Sequence, residues 1–306
     1  MNFDEAQIID LLAAIFGSRD SKIHIGIGDD GAVVETSQKS VITTDMAVEG
    51  THFNCEWSGA FDIGRKITAA NLADIYAMGA QPTFLVVAVS LTGDETLEWI
   101  SELAEGIKHE ANSCGAAVVG GDLTRGPIKT ISITAIGSVE TPITRHGAQV
   151  GDSIYLSSLS GWSAAGLHFI INEDVSDLQK YAIDEFCAPN VDYSLAVAFA
   201  NKGAHAMCDI SDALIVQAAQ IAKSSKVKLV FEKTGFEKDS EFVQLHELAQ
   251  SADIDVWQWI FAGGEDHVFL ATGRDLPGIC VGHVEEGEGV IGLEMKKAPD
   301  TWRHFN

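Results

Sequence analysis

Residues 62–91, DIGRKITAANLADIYAMGAQPTFLVVAVSL, decide the fold. Residues 62–78 read as a helix closed by Gly79, with Pro82 beyond it. Phe84 to Val89 is an unbroken apolar run, and Phe84 to Leu91, of strand length, reads as a buried strand. A helix that feeds a buried strand argues for mixed α/β structure.

Working outward, the neighbouring segments repeat this alternation. Residues 4–16 set Ile8, Leu11, Leu12 and Ile15 at helical spacing, with Gly17 as a stop. Val41–Thr44 reads as a short strand ending at Asp45. Downstream come a helix over 94–113, a strand over 116–119 that runs into Gly120-Gly121-Asp122, and a strand over 130–139. The texture then changes to TPITRHGAQVGD (141–152), a turn-rich stretch that marks a domain boundary. Beyond it we read strands at 153–157, 227–232 and 268–272. Helices are read at 160–171, about 176–186, 191–201, 211–224 and 241–251. The expectation is an α/β and α+β protein of two domains, 1–140 and 150–306.

Composition narrows the function. A length of 306 residues suits two domains, and 46% hydrophobic with 21% charged residues is ordinary for a globular chain. The net charge of −24 repels nucleic acid and anionic membrane. It also repels a bare polyphosphate, so a nucleotide needs cations to bind. The five cysteines are odd in number and contain no CxxC, against a disulfide framework or a structural zinc site. No apolar run is long enough to span a bilayer and the first residues lack a basic signal region, so a cytoplasmic protein is expected.

Gly26, Gly28 and Gly31 satisfy GxGxxG, but AVVETS follows where a dinucleotide site needs a helix, and Asp29 and Asp30 stand where pyrophosphate would approach. A metal site or a simple Asx turn suits that pair better. The same theme recurs. Thr43-Thr44-Asp45 ends a strand, and Asp74 interrupts an apolar helix, sharing a face with Asn71. Gly120-Gly121-Asp122 follows a strand, Asp209-Ile210-Ser211-Asp212 repeats the pattern with Asp212 opening a helix, and Gly263-Gly264-Glu265-Asp266 leads into the strand at 268–272. Capping alone would account for Ser211 or Asp212, but repetition of acids at element ends is what a multi-metal phosphate site requires. There is no GxxxxGK[ST], HRD or DFG, so phosphoryl transfer would rest on metals rather than on a P-loop lysine.

GIGDDGAV, TTDMAVEGTHF, NLADIYAMGAQP, GGDLTRGP, LSGWSAAGL, DISDAL and GGEDH occur in this order. The series resembles the bacterial thiamine-monophosphate kinases, of the aminoimidazole-ribonucleotide synthetase superfamily, over nearly the whole chain. The resemblance implies a reaction of ATP with thiamine monophosphate, a homodimer built through N-terminal domains, and several Mg²⁺ ions. It implies Asp30, Thr43, Thr44, Asp45, Asp74, Asp122, Asp209 and Asp212 as metal ligands, with Asp29 the lesser of its pair. Gly121, Asp122, Arg145 and Ser211 become ATP contacts, and His52, Glu265 and Trp302 substrate contacts. Three departures stand out: Ala213 where the family has glycine, His267 where it has tyrosine, and Ala-Pro-Asn-Val at 188–191 in place of a Pro-x-Pro-Arg segment. Other superfamily members fit less well. The first cysteine, Cys55, lies beyond the N-terminal glycine turn, where a selenophosphate synthetase would carry its own. The chain also ends His-Phe-Asn rather than in the cysteine of a hydrogenase maturation protein.

No general base is expected. A phosphate monoester, with a second pKa of about 6, is already mostly dianionic at neutral pH.

Overall fold

The computed structural model describes residues 5–17, 21–25, 33–36, 39–170 and 175–295. In chain order the elements begin with α1 (Glu5–Phe16), β1 (Ile23–Ile25), β2 (Val33–Val34), β3 (Lys39–Val48), α2 (Ala60–Ala77), β4 (Gln81–Leu91), α3 (Leu97–Ser113), β5 (Ala117–Arg125) and β6 (Thr130–Val139). They continue with β7 (Ser153–Leu156), α4 (Trp162–Phe169), α5 (Asp177–Cys187), α6 (Tyr193–Asn201), β8 (Ala206–Ile210), α7 (Leu214–Ser225), β9 (Lys228–Phe231), α8 (Lys233–Phe236), α9 (Ser240–Ser251), α10 (Val256–Ala262), β10 (Val268–Gly273), β11 (Ile279–Glu285) and β12 (Gly289–Ile291). This is the mixed α/β architecture expected. The chain divides into two compact units, one of Met1–Ile75 with Ala80–Glu140 and one of Tyr76–Gly79 with Thr141–Asn306.

The first unit holds a four-stranded sheet in the order β3-β6-β4-β5. β4 and β5 pair parallel across the α3 crossover, and the other pairings are antiparallel. Ile63, Leu72 and Ile75 of α2 and Ile107 of α3 are buried with Ile131 and Ile133 of β6. β6 alternates strictly between buried and half-buried residues, as a sheet with one covered face requires.

α3 starts three residues later than the expected Asp94. The Glu95 carboxylate folds back to accept from Thr92 N–H, Thr92 Oγ1 and Gly93 N–H, which closes residues 92–95 as a turn. Thr96 then caps the helix by accepting from Trp99 N–H at 3.1 Å.

The second unit holds a six-stranded sheet in the order β12-β9-β11-β7-β10-β8. Its core gathers Ile154 and Leu156 of β7, Ile210 of β8, Ile221 of α7, Phe261 of α10 and Leu270 of β10. α10, β11 and β12 were not anticipated. Glycine punctuates the β11 and β12 segments, and the VWQWIFA run of α10 is only 7 residues long.

Candidate active site

In the first unit, β3 and α2 meet through polar side chains. Thr43 Oγ1 donates to Asp74 Oδ2 at 2.6 Å. Two residues on, Asp45 N–H donates to Asn71 Oδ1 at 3.1 Å, and Asn71 Nδ2 donates to Ile67 O at 2.9 Å. Asn71 is fully buried. An unpaired amide there would cost about 1–3 kcal/mol, so these bonds hold β3 against α2 where Asp45 sits. Asn71 is missing from the expected site. Its spacing three residues before Asp74, on the same helix face, was the signal that could have found it.

Asp45 and Asp122 do not stand at strand ends, as sequence reading expects. β3 continues to Val48 and β5 to Arg125. The reason for the second lies across the sheet: a Cβ on Gly121 would meet Val87 O at 1.9 Å. The glycines therefore permit pairing with β4 rather than stopping the strand. Asp45, Ile133, Val87 and Gly121 form one cross-strand row, and Met46, Ser132, Ala88 and Asp122 the next.

Ile133 and Val87 are buried, whereas Met46 is 60% exposed. Thr43 and Asp45 thus share the helix-covered face, and Thr44 and Asp122 lie on the open one. Thr44 Oγ1 donates to Ile133 O at 3.0 Å and meets Thr134 Oγ1 at 3.1 Å. Three strand intervals separate β3 from β5, roughly 14 Å along the sheet. His52 lies in the turn after β3. Its Nδ1 accepts from Val48 N–H at 3.1 Å, which leaves the proton of the neutral ring on Nε2.

In the second unit, DISDA and GGEDH meet back to back. Glu265 N–H donates to Ser211 O at 2.7 Å, and His267 N–H to Ile210 O at 3.1 Å. A Cβ on Gly264 would lie 2.3 Å from Asp212 O, so only glycine allows this approach. This sets the backbone of Glu265 against Ser211 and that of Gly264 against Asp212. Glu265 (φ 64°) and His267 (φ 51°) both hold left-handed backbone, a costly conformation that clusters at functional sites.

His267, read from sequence only as a departure, pairs through Nδ1 with Asp209 Oδ2 at 3.1 Å, both side chains being almost fully buried. Gln217 of α7 was also missed. Its Oε1 accepts from Ala213 N–H at 3.0 Å, and its Nε2 reaches Ser211 Oγ at 3.3 Å and Asp212 Oδ2 at 3.4 Å. Ala213 itself is extended at φ −175°, a conformation open to any residue, so the loss of glycine there strains nothing. Arg145 hydrogen-bonds the thiol of Cys208, next to Asp209 in the chain. Burial and the Asp209 charge push that thiol up to about 12, against the pull of Arg145. Asp29, Asp30 and Trp302 lie outside the described residues.

Among the described residues no three His, Cys, Asp or Glu side chains form a cluster able to hold a metal ion. Mg²⁺ is usually held by one or two carboxylates, with waters and substrate phosphates completing the shell. Thr43 with Asp74, and Asp212 beside Ser211, are the hard oxygen donors that such a cation takes.

Known proteins resemble this chain in sequence and in fold. The family described as AIR synthase related protein, N-terminal domain, matches residues 28–139. A thiamine-monophosphate kinase of Mycobacterium tuberculosis is 35% identical over 275 residues, 88% of this chain and 79% of that protein. One from Aquifex aeolicus is 30% identical across 100% of both chains. The solved structure of AaThiL complexed with AMPPCP and TMP superposes with a TM-score of 0.81 at 28% identity, covering 98% of this chain and 97% of that one.

Proposed function

The chain belongs to the thiamine-monophosphate kinase family, and from that premise we propose that it transfers the γ-phosphoryl group of ATP to thiamine monophosphate, giving thiamine diphosphate and ADP. The observation that carries this reading is the 35% identity over 88% of the chain and 79% of that relative.

We assign Asp30, Thr43, Thr44, Asp45, Asp74, Asp122, Asp209 and Asp212 to several Mg²⁺ ions. The roughly 14 Å between β3 and β5 supports more than one ion. When bound, Mg²⁺ neutralises phosphate charge and aligns an in-line displacement. Gly121, Asp122, Arg145 and Ser211 bind ATP, the guanidinium offering a fork of donors to phosphate.

The acceptor oxygen of thiamine monophosphate is already anionic, so no side chain need remove a proton. His52 instead donates from Nε2 to the substrate phosphate, a role its bond with Val48 N–H supports. Glu265 pairs with the cationic thiazolium, and Trp302 covers it through a cation–π contact.

The active species is a homodimer. Ile42 at 65% exposure and Met46 at 60%, both on the open face of β3, support burial against a second copy. All five cysteines are free, which suits a reducing cytoplasm. Among the described residues no helix is long and apolar enough to cross a membrane.

The test is incubation with ATP, Mg²⁺ and thiamine monophosphate, followed by chromatography. Thiamine diphosphate should form, and free thiamine should not react. ATP consumed without that product would overturn the reading.

A further inference from the structure

The turn that carries His52 is held by a charge cluster that the metal and nucleotide assignments do not use. After β3 the chain closes tightly. His52 N–H donates to Val48 O at 2.9 Å, Gly50 N–H to Phe53 O at 2.7 Å, and Glu49 N–H to Lys129 O at 3.0 Å. Lys129, just before β6, also donates through Nζ to Glu49 Oε2 at 3.1 Å and Oε1 at 3.3 Å. The same ammonium lies 3.9 Å from Glu95 Oε1, and 5.9 Å from the centre of the Trp99 ring.

Glu95 cannot swing away, because it accepts three bonds from Thr92 and Gly93 and its side chain is 1% exposed. Lys129 is therefore tied at both ends, by its carbonyl to the backbone of Glu49 and by its ammonium to two carboxylates. Burial disfavours the charged forms, yet Cys55 and Lys129 hold the Glu49 carboxyl below its ordinary range. Burial likewise lowers Lys129, and Glu49, Cys55 and Glu95 more than reverse it. Surface ion pairs of lysine contribute little as a rule, but a half-buried pair with a fixed third partner defines geometry.

The turn matters because the ring of His52 reads it. Nδ1 accepts from Val48 N–H only while the chain is folded back over residues 48–53. If the turn opens, either nitrogen can carry the proton, and the side facing the substrate can become an acceptor, which repels a phosphate oxygen.

We propose that Lys129 is the positioning residue for His52: through Glu49 and Glu95 it clamps the 48–53 turn and holds the imidazole in the Nε2-protonated form that donates to the substrate phosphate. This rests on the reading of His52 as a substrate contact.

The experiment pairs kinetics with a tautomer measurement. Long-range proton–nitrogen spectra of histidine-labelled protein, with His52 assigned from a His52→Gln spectrum, should show Nδ1 bare and Nε2 protonated. Lys129→Gln should mix the tautomers and raise KM for thiamine monophosphate roughly tenfold, the scale of one lost hydrogen bond to a charged group. KM for ATP and kcat should stay within about twofold, as expected when a contact made equally in the ground and transition states is lost. Lys129→Arg should restore most of both. Glu49→Gln opens the clamp from its other end and should reproduce the phenotype if Lys129→Gln folds poorly. An unchanged tautomer and KM in both clamp variants, with His52→Ala still raising KM, overturns the proposal alone. An unchanged KM in His52→Ala overturns the assignment of His52 itself, and the positioning role with it.

Discussion

Asp266 shows how one residue serves two demands. Its carboxylate is almost fully covered, and its oxygens accept from Gly161 N–H and Ser163 N–H, each at 2.8 Å, at the start of α4. Burial pushes the carboxyl up to about 6, helped by the Glu265 charge and opposed by those two donors and by His267. The folded state therefore binds this proton more tightly than the unfolded chain, whose carboxyl sits near its ordinary 3.8. Between those two values the folded state holds more protons, so stability falls as pH rises, by about 3 kcal/mol in all. Above about pH 6 the cost is fully present, and below the unfolded value it vanishes. Urea unfolding across this window should show that slope, and Asp266→Asn should flatten it. A slope unchanged in the variant would show that another group carries the dependence. Sequence reading sees Asp266 only as part of GGEDH. What makes it a cap is a helix start 105 positions away in the chain, which no local pattern reports.

Two glycines control how α2 and α3 meet. A Cβ on Gly64 would come within 2.3 Å of Leu103 O, and one on Gly106 within 2.0 Å of Phe61 O. Each glycine costs its helix about 1 kcal/mol against alanine, so local propensity argues against both helices. Close backbone packing offsets that cost. Gly106→Ala should therefore destabilise the protein by about 1–3 kcal/mol despite its better propensity, because the obstacle is backbone and cannot turn aside. It should also lower turnover, since α2 carries Asn71 and Asp74. Chemical denaturation and steady-state assays check both, and a stabilised, fully active variant would refute the packing account. The elements themselves were largely legible. α2, β4 and β6 follow from apolar spacing alone. Their ends were not: Gly120-Gly121-Asp122 looks like a stop, and only Val87, across the sheet, explains why the strand runs on. Thr43-Thr44-Asp45 looks like an exit for the same reason. An edge strand with one open face tolerates polar residues in its middle.

At the scale of the whole molecule, charge and site chemistry point the same way. The acids were legible as a set because they recur after apolar segments. Their partition between two faces of one sheet was not, since it depends on register with β6 and β4. The consequence is a ligand requirement. A chain of net charge −24 offers a bare nucleotide polyphosphate repulsion that grows as it nears Asp45, Asp74 and Asp122. A divalent cation reverses the sign of that interaction at each carboxylate it touches. Nucleotide and cation should therefore bind as one linked event, each weak without the other. Calorimetric melting measures the linkage directly. ATP in the presence of a chelator should leave the transition where it was. ATP with Mg²⁺ at about a hundred times its dissociation constant should stabilise the fold by about 2.7 kcal/mol. Asp45→Asn and Asp122→Asn should each shrink that gain while leaving the unliganded transition within about 0.5 kcal/mol, because Asp45 is only half-buried and Asp122 is exposed. Equal stabilisation by ATP with and without the chelator would mean that the nucleotide is held by groups other than these acids, and the assignment of cations to them would have to be abandoned.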